Sequence, residues 1–346
     1  MTASPSGLDL LLKPILPYLA SEGLTELVVN RPGELGTEIR RAWSWHDVPE
    51  LDQPHLRMLA NAVANHTHQS ISEQNPICSS HLPDGSRIQI VIPPAVEPGT
   101  VSVTIRKPAP VAFSLQDLAD RGVFARTRMS RTIERDPVDG ELLRLLRDGY
   151  PVAFLDRAVQ ARKNILVSGP TGSGKTTISK ALIPLIPAWE RLITIEDTFE
   201  LEIPHRNTVR MLYSKDGHGR SKAGPKRLLE SSLRMRPDRI LLQELRDGVA
   251  WYYLRNVNSG HPGSITTVHA NSPALAFEQL TLLVKESEGG RDLARDDIRS
   301  LLHILIDVVI QCQAGPDGYA VTEIDFDPDR KHADRRVGAA ILRGAA

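Results

Sequence analysis

Residues 164–177 read Asn-Ile-Leu-Val-Ser-Gly-Pro-Thr-Gly-Ser-Gly-Lys-Thr-Thr: a short apolar run, a glycine-rich turn, and a lysine and two threonines opening a helical pattern. The spacing from Gly169 through Gly174 to Lys175 and Thr176 matches a phosphate-binding loop in full. Gly169, Gly172 and Gly174, with Pro170, Thr171 and Ser173 between them, let the backbone curl so that successive N–H groups aim at a β-phosphate. The helix that follows adds the positive end of its dipole. Lys175 is predicted to reach the β and γ oxygens and Thr176 to place its hydroxyl on Mg²⁺, with Thr177 closing the nucleotide-contacting stretch.

Outward from this loop, strands and helices alternate. Residues 192–195, 239–242 and 264–268 read as strands, and 175–186, 227–235 and 249–259 as helices. That order predicts a parallel α/β sheet, in which ligands gather at the carboxyl ends of the strands. The rule selects three segments. Leu192-Ile-Thr-Ile195 leads into Glu196-Asp197, Ile240-Leu-Leu242 into Gln243-Glu244, and Ile265 to Val268 into His269. Cleaving a triphosphate requires a water held in line with the terminal phosphate. Glu196 and Glu244 are candidates for that work, and His269 for a contact with the γ-phosphate. Residues 292–306 read as a helix, and 307–313 with 319–326 as a hairpin. The basic stretch 213–227 reads as an exposed loop and receives no role.

Upstream the pattern changes. Leu24 to Val29, Arg87 to Ile92 and Val101 to Ile105 are strand-like runs near turns at Asn30–Gly33 and Leu82–Gly85, and Leu56 to His66 has helical spacing. Strands around turns with a helix beside them predict a small α+β domain over residues 1–130. A charged stretch containing Pro137 and Gly140 reads as a solvated linker over 131–150, which leaves 151–346 for the P-loop domain.

Composition narrows the options. Lysine plus arginine equals aspartate plus glutamate at 42 each in 346 residues, so no global field favours nucleic acid or an anionic membrane. The two cysteines, Cys78 and Cys312, are too few and too far apart for a disulfide scaffold or a zinc ribbon, and a reducing cytoplasm is expected. No apolar run approaches the ~20 residues of a spanning helix, so any work at a membrane implies recruitment there.

In this order, the P-loop, the acidic box Thr194-Ile-Glu-Asp-Thr-Phe-Glu200, the segment Arg236-Pro-Asp-Arg-Ile-Leu-Leu-Gln-Glu-Leu-Arg246 and the histidine box Gly260-His-Pro-Gly-Ser-Ile-Thr-Thr-Val-His-Ala270 resemble the secretion ATPase superfamily. The stretches Pro83–Pro94 and Ser102–Pro108 look like its type IV secretion branch in particular. The resemblance runs from Leu24 to Phe326. It implies a RecA-like P-loop domain preceded by a smaller α+β domain, six copies in a ring, and Mg²⁺-dependent ATP hydrolysis between the domains. The resemblance further implies that this hydrolysis powers substrate translocation or pilus assembly.

By the same resemblance, Lys175 and Thr176 bind phosphate and Mg²⁺. Glu196 is the general base or water-positioner, Glu244 the metal-side carboxylate and His269 the γ-phosphate sensor, although the division between the glutamates stays open. Arg106 resembles an N-terminal-domain arginine that reaches into the nucleotide cleft, and Arg128, with Arg126 beside it, is the expected second one. The implied partners are inner-membrane secretion components, including a coupling ATPase, and the implied substrates are proteins or protein–DNA complexes. The implied location is the cytoplasmic side of the inner membrane, held peripherally. Gln243 departs from the family, which usually has a small residue there. Two other readings stay open: a type II secretion or type IV pilus motor, and a nucleotide-binding scaffold ring without significant hydrolysis. The cysteine count disfavours type II assembly ATPases, which usually carry a tetracysteine zinc motif. A DNA-translocating motor is disfavoured by the neutral charge.

Overall fold

The computed structural model describes residues 7–108, 113–127, 136–214, 219–316 and 318–331. In the first part of the chain, β1 (Leu24–Val29), β2 (Glu34–Ile39), β3 (Ala42–Asp47), β4 (Ile77–His81), β5 (Arg87–Val91) and β6 (Ser102–Arg106) form one antiparallel sheet, ordered β3-β2-β1-β6-β5-β4. Side chains alternate between its faces. Ile88, Ile90, Val103 and Ile105 pack with the helix Gln53–His66, whose Leu56, Leu59, Ala60 and Val63 form one apolar stripe. That helix starts where Asp52 caps the His55 N–H at 2.8 Å, with a proline in its first turn. The intervening Gln89 and Thr104 face the second domain instead, bonding Ser231 at 2.8 Å and Arg191 at 3.3 Å.

The second domain contains β7 (Ile165–Ser168), β8 (Leu192–Glu196), β9 (Thr208–Leu212), β10 (Arg239–Leu242), β11 (Ile265–Val268), β12 (Val308–Gly315) and β13 (Gly318–Asp325). Strands β10-β8-β9 pair in parallel, as do β11-β7-β12, and β13 adds an antiparallel edge. A parallel bridge between Glu244 and Thr267, with Leu245 N–H donating to Thr267 O at 2.8 Å, joins the two groups into the order β9-β8-β10-β11-β7-β12-β13. Every residue of β7, β8, β10 and β11 is buried, as a sheet covered by helices on both faces demands. One face packs on the helices Pro225–Ser232, Val249–Asn258, Pro273–Glu286 and Arg295–Leu305. The other packs on Pro137–Arg147, Pro151–Gln160 and Lys175–Leu182.

The stretch expected as a linker over 131–150 is in part an element of the second domain. Its charges conceal an amphipathic helix, Pro137–Arg147, that buries Leu142 with Phe154 and Ala158. Asp139, also buried, pairs with Lys163 at 2.6 Å. The strands β2, β3, β4 and β9 and the helices Pro151–Gln160 and Pro273–Glu286 were not legible in the sequence. Trp43, Trp45, His46 and Asp47 give β3 an edge composition, and its burial pattern is correspondingly open.

The two domains meet through a buried polar network. Arg191, fully buried, donates to Asn30 Oδ1 at 2.8 Å and to the Met235 carbonyl at 2.8 Å, and also contacts Asn207 Oδ1. Asn30 Nδ2 donates to Asn207 Oδ1 at 3.1 Å, and Arg236 forms a two-pronged pair with Glu38. Ile77, Val91, Ala95 and Val96 close the apolar part of this junction against Val209, Met211 and Leu228. No helix among the described residues is long and apolar enough to cross a membrane.

Candidate active site at the strand ends

The carboxyl ends of the parallel strands β7, β8, β10 and β11 open into a cleft of about 470 Å³. Of the loop residues expected to hold nucleotide, Thr171, Gly172, Ser173, Gly174, Lys175, Thr176 and Thr177 line it. Gly169 and Pro170 do not; they stand behind the loop, where their carbonyls engage Lys175.

The three glycines serve different ends. Gly174 is the N-cap of the helix Lys175–Leu182 and has φ +86°, a conformation that side chains resist. A Cβ there would also strike the ring of Tyr319. Gly172 has φ +76° but open space where a Cβ would go, so its constraint is the backbone conformation and the access it leaves to the cleft. At Gly169 the obstacle is close approach, because a Cβ would meet Ser173 Oγ and the Cys312 carbonyl.

Lys175 sits within the loop rather than in solvent. Its Nζ donates to the carbonyls of Gly169 at 2.8 Å and Pro170 at 2.9 Å, and lies 3.4 Å from His269 Nδ1. Burial holds its pKa below the usual lysine value, although Glu244 opposes the shift. On the other side of the imidazole, His269 Nε2 lies 2.9 Å from Glu244 Oε1. Burial, and then the Lys175 charge, hold the His269 pKa below the ordinary histidine value, which favours a neutral ring that accepts from Lys175 at Nδ1. Arg246 contacts Glu244 and lies 3.9 Å from Asp197, so it ties the end of β10 to the end of β8.

Thr176, Glu244 and His269 all line this cleft with Lys175. A hydroxyl and one carboxylate beside a phosphate loop suit Mg²⁺, which takes few protein ligands and completes its shell with phosphate and water.

Glu196 does not line the cleft. It is 0 % exposed, and its carboxylate accepts from Thr194 Oγ1 at 2.7 Å, from the N–H groups of Glu200 and Leu201 at 2.9 Å each, and from Arg210 at 3.2 and 3.3 Å. Its bonding capacity goes to holding the turn after β8 and to tying β8 to Arg210 on β9. The exposed carboxylate that this turn presents to the cleft is Glu200, four residues on and within the same acidic box; the largely buried Asp197 also lines the cleft. Strand-end reasoning chose Glu196, the acid that ends β8. The signal for Glu200 was the Thr-x-Glu spelling, which lets Thr194 and the backbone consume Glu196. Gln243 also lines the cleft, and its buried Oε1 has no hydrogen-bond partner. Tyr319, which no sequence argument singled out, reaches the cleft from β13.

Arg106 is elsewhere. Its side chain is 68 % exposed, its Nε lies 3.5 Å from Glu26 Oε1, and it lines a separate cleft with Arg87, Arg234 and Arg236. Arg126 is exposed, and Arg128 falls outside the described residues.

The pattern of the family described as "Type II/IV secretion system protein" matches residues 45–315. The type IV secretion system protein VirB11 of Bartonella henselae is 56% identical over 327 residues, covering 92% of each chain. VirB11 of Brucella suis is 45% identical over 329 residues, covering 93% of this chain and 91% of that protein. VirB11 of Agrobacterium fabrum is 44% identical over 335 residues, covering 96% of each. The crystal structure of the Brucella suis VirB11 ATPase, in complex with sulphate, superimposes with a TM-score of 0.87 over 95% of this chain and 100% of that one. With the P-loop, the acidic turn, Glu244 and His269 converging on one cleft, the chain belongs to the type II/IV secretion family, as an ATP-hydrolysing type IV secretion ATPase of the kind that the VirB11 proteins represent.

Proposed function

We propose that the chain works as one of six copies in a ring, and that Arg106 of one copy completes the nucleotide cleft of the next. The observation that carries this reading is the separation of Arg106 from Lys175: the two line different clefts of the same chain, and Arg106 is largely exposed. An exposed arginine among other arginines is suited to meet an incoming anion. Arg128 is the proposed second arginine. The first domain lies within residues 1–130, and the ATPase domain begins at the helix Pro137–Arg147, which shortens the proposed linker.

Within the cleft, Lys175 and the loop N–H groups of residues 171–177 hold the triphosphate. Thr176 and Glu244 hold Mg²⁺, which neutralises charge on the phosphates when bound. Glu200 orients the attacking water, a role taken over from Glu196, whose oxygens are already engaged. Glu196 acts through Glu200 by anchoring its backbone. His269 contacts the γ-phosphate and links its presence to Glu244. Hydrolysis then changes how neighbouring copies engage, which moves the domains and drives translocation of proteins or protein–DNA complexes, or pilus assembly. The proposed partners are inner-membrane secretion components with a coupling ATPase, approached from the cytoplasm through peripheral contact.

Mixing two inactive variants tests the ring. Chains carrying Lys175→Ala keep Arg106, and chains carrying Arg106→Ala keep Lys175. Mixed assemblies should regain ATP hydrolysis at the junctions where both native residues meet. Mixtures that stay as inactive as their parents, despite co-assembly by light scattering, overturn the shared-site reading.

A further inference from the structure

The hairpin formed by β12 and β13 brings an aromatic ring to the nucleotide cleft, and neither the phosphate loop nor the acidic residues account for it. Tyr319 pairs with Ala314 across the hairpin, and β12 lies beside β7 on the side away from β11. The charged groups Glu200, Glu244, Arg246 and His269 therefore belong to the β8, β10 and β11 side of the loop, and Tyr319 to the opposite side. Three adjoining ring atoms, Cγ, Cδ2 and Cε2, would lie 2.5, 2.4 and 3.0 Å from a Cβ built on Gly174. Such similar distances mean that the ring lays its face, not its edge, against the loop. Tyr319 is nevertheless 50% exposed. It is the only phenyl-type ring among the described residues lining a cleft otherwise made of small, amide, charged and imidazole groups.

We propose that Tyr319 is a nucleotide-positioning residue: its open surface is the platform on which the purine ring of ATP stacks. The loop and Lys175 fix the phosphates, and the carboxylates and Arg246 occupy one side of them. The ribose and base leave on the other, where β13 presents the ring. A half-exposed aromatic side chain is poorly placed in water and gains by covering itself with a second π-system. Stacking of this kind tolerates any base, so it supplies affinity and orientation without strong discrimination between purines. The proposal rests on ATP as the substrate, which the family establishes, and not on the assignment of Arg106 or Glu200.

The test compares ATP with inorganic tripolyphosphate, which offers the same phosphates and no base, binding to the full chain with Mg²⁺ by calorimetry. Tyr319→Ala should weaken ATP about tenfold or more, within the range expected for one base–aromatic stack. Its affinity for tripolyphosphate should stay within about twofold of the native protein. Tyr319→Phe should keep native ATP affinity. Tyr319→Leu, which preserves apolar packing on Gly174 without a π-face, should behave like Tyr319→Ala and guards against a collapsed loop in the smaller variant. Equal weakening of both ligands would assign the ring to holding the loop's shape and overturn the proposal. So would unchanged ATP binding in the Leu variant.

Discussion

Lys175 Nζ and His269 Nδ1 stand 3.4 Å apart, so the lysine of the glycine-rich loop and the histidine at the end of β11 share one hydrogen-bonding position. The same imidazole lies 2.9 Å from Glu244 through Nε2, which puts it between a cation and a carboxylate. A terminal phosphate that draws Lys175 away from its loop carbonyls also removes a neighbour of His269. Lys175→Ala is expected to lower phosphate release by at least about a hundredfold, as follows from the proposal that this lysine holds the triphosphate and offsets its charge during phosphoryl transfer. Turnover near the native rate in a purified, folded variant would refute the role of the loop.

Two glutamates four residues apart should separate cleanly. Glu200→Gln is predicted to bind ATP with near-native affinity while hydrolysis falls by about a hundredfold or more. Glu196→Gln is predicted to lower folding stability by roughly 2–4 kcal/mol, since it leaves the Arg210 guanidinium and the turn N–H groups poorly matched in a buried site. Urea denaturation and phosphate release on both variants check the assignment, and reversed phenotypes would restore Glu196 to the chemistry.

At the junction between domains, Arg191→Ala should cost roughly 3–5 kcal/mol, because Asn30, Asn207, Thr104 and the Met235 carbonyl all lose a buried donor. Differential scanning calorimetry should show a lowered transition, and a stability equal to the native protein's would mean that the network is not what holds the domains together.

Glu26 predicts a pH dependence. Burial raises its carboxyl pKa from 4.5 to about 7, against the opposing pull of Arg106, Arg236 and Arg191 and with the help of Glu38. A carboxyl whose pKa is raised by folding contributes stability below about pH 4.5 and loses it as pH climbs through 7. Glu26→Gln lacks that titration, so the two proteins should be similar near pH 5 and the variant more stable by roughly 1–3 kcal/mol near pH 8. Melting curves across that range decide it, and a gap that stays constant with pH would exclude Glu26 as the titrating group.

Much of the cleft's lining was readable because a phosphate-loop pattern is local. Gly169, Gly172, Gly174 and Lys175 are dictated by a turn of eight residues, and the apolar strands that feed Glu244 and His269 are short, β-rich and bounded by polar residues. The elements that escaped notice lack such signals. β3 is half-exposed and carries tryptophans for contacts with Arg191, Arg206 and Arg236 of the other domain. The helix Pro137–Arg147 is so charged on its outer face that its buried Leu142 was masked.

What the linear order of residues determined was the phosphate loop, the alternation that makes a parallel sheet, and the set of strand ends that can hold chemistry, since each follows from neighbours a few positions apart. Only the tertiary structure decided which carboxylate of the acidic turn lines the cleft, that Tyr319 arrives from the far hairpin, and that Arg106 lines a different cleft from its own P-loop. Those outcomes depend on which distant groups consume a side chain's hydrogen bonds and on the order in which strands pair. Neither is written in local spacing.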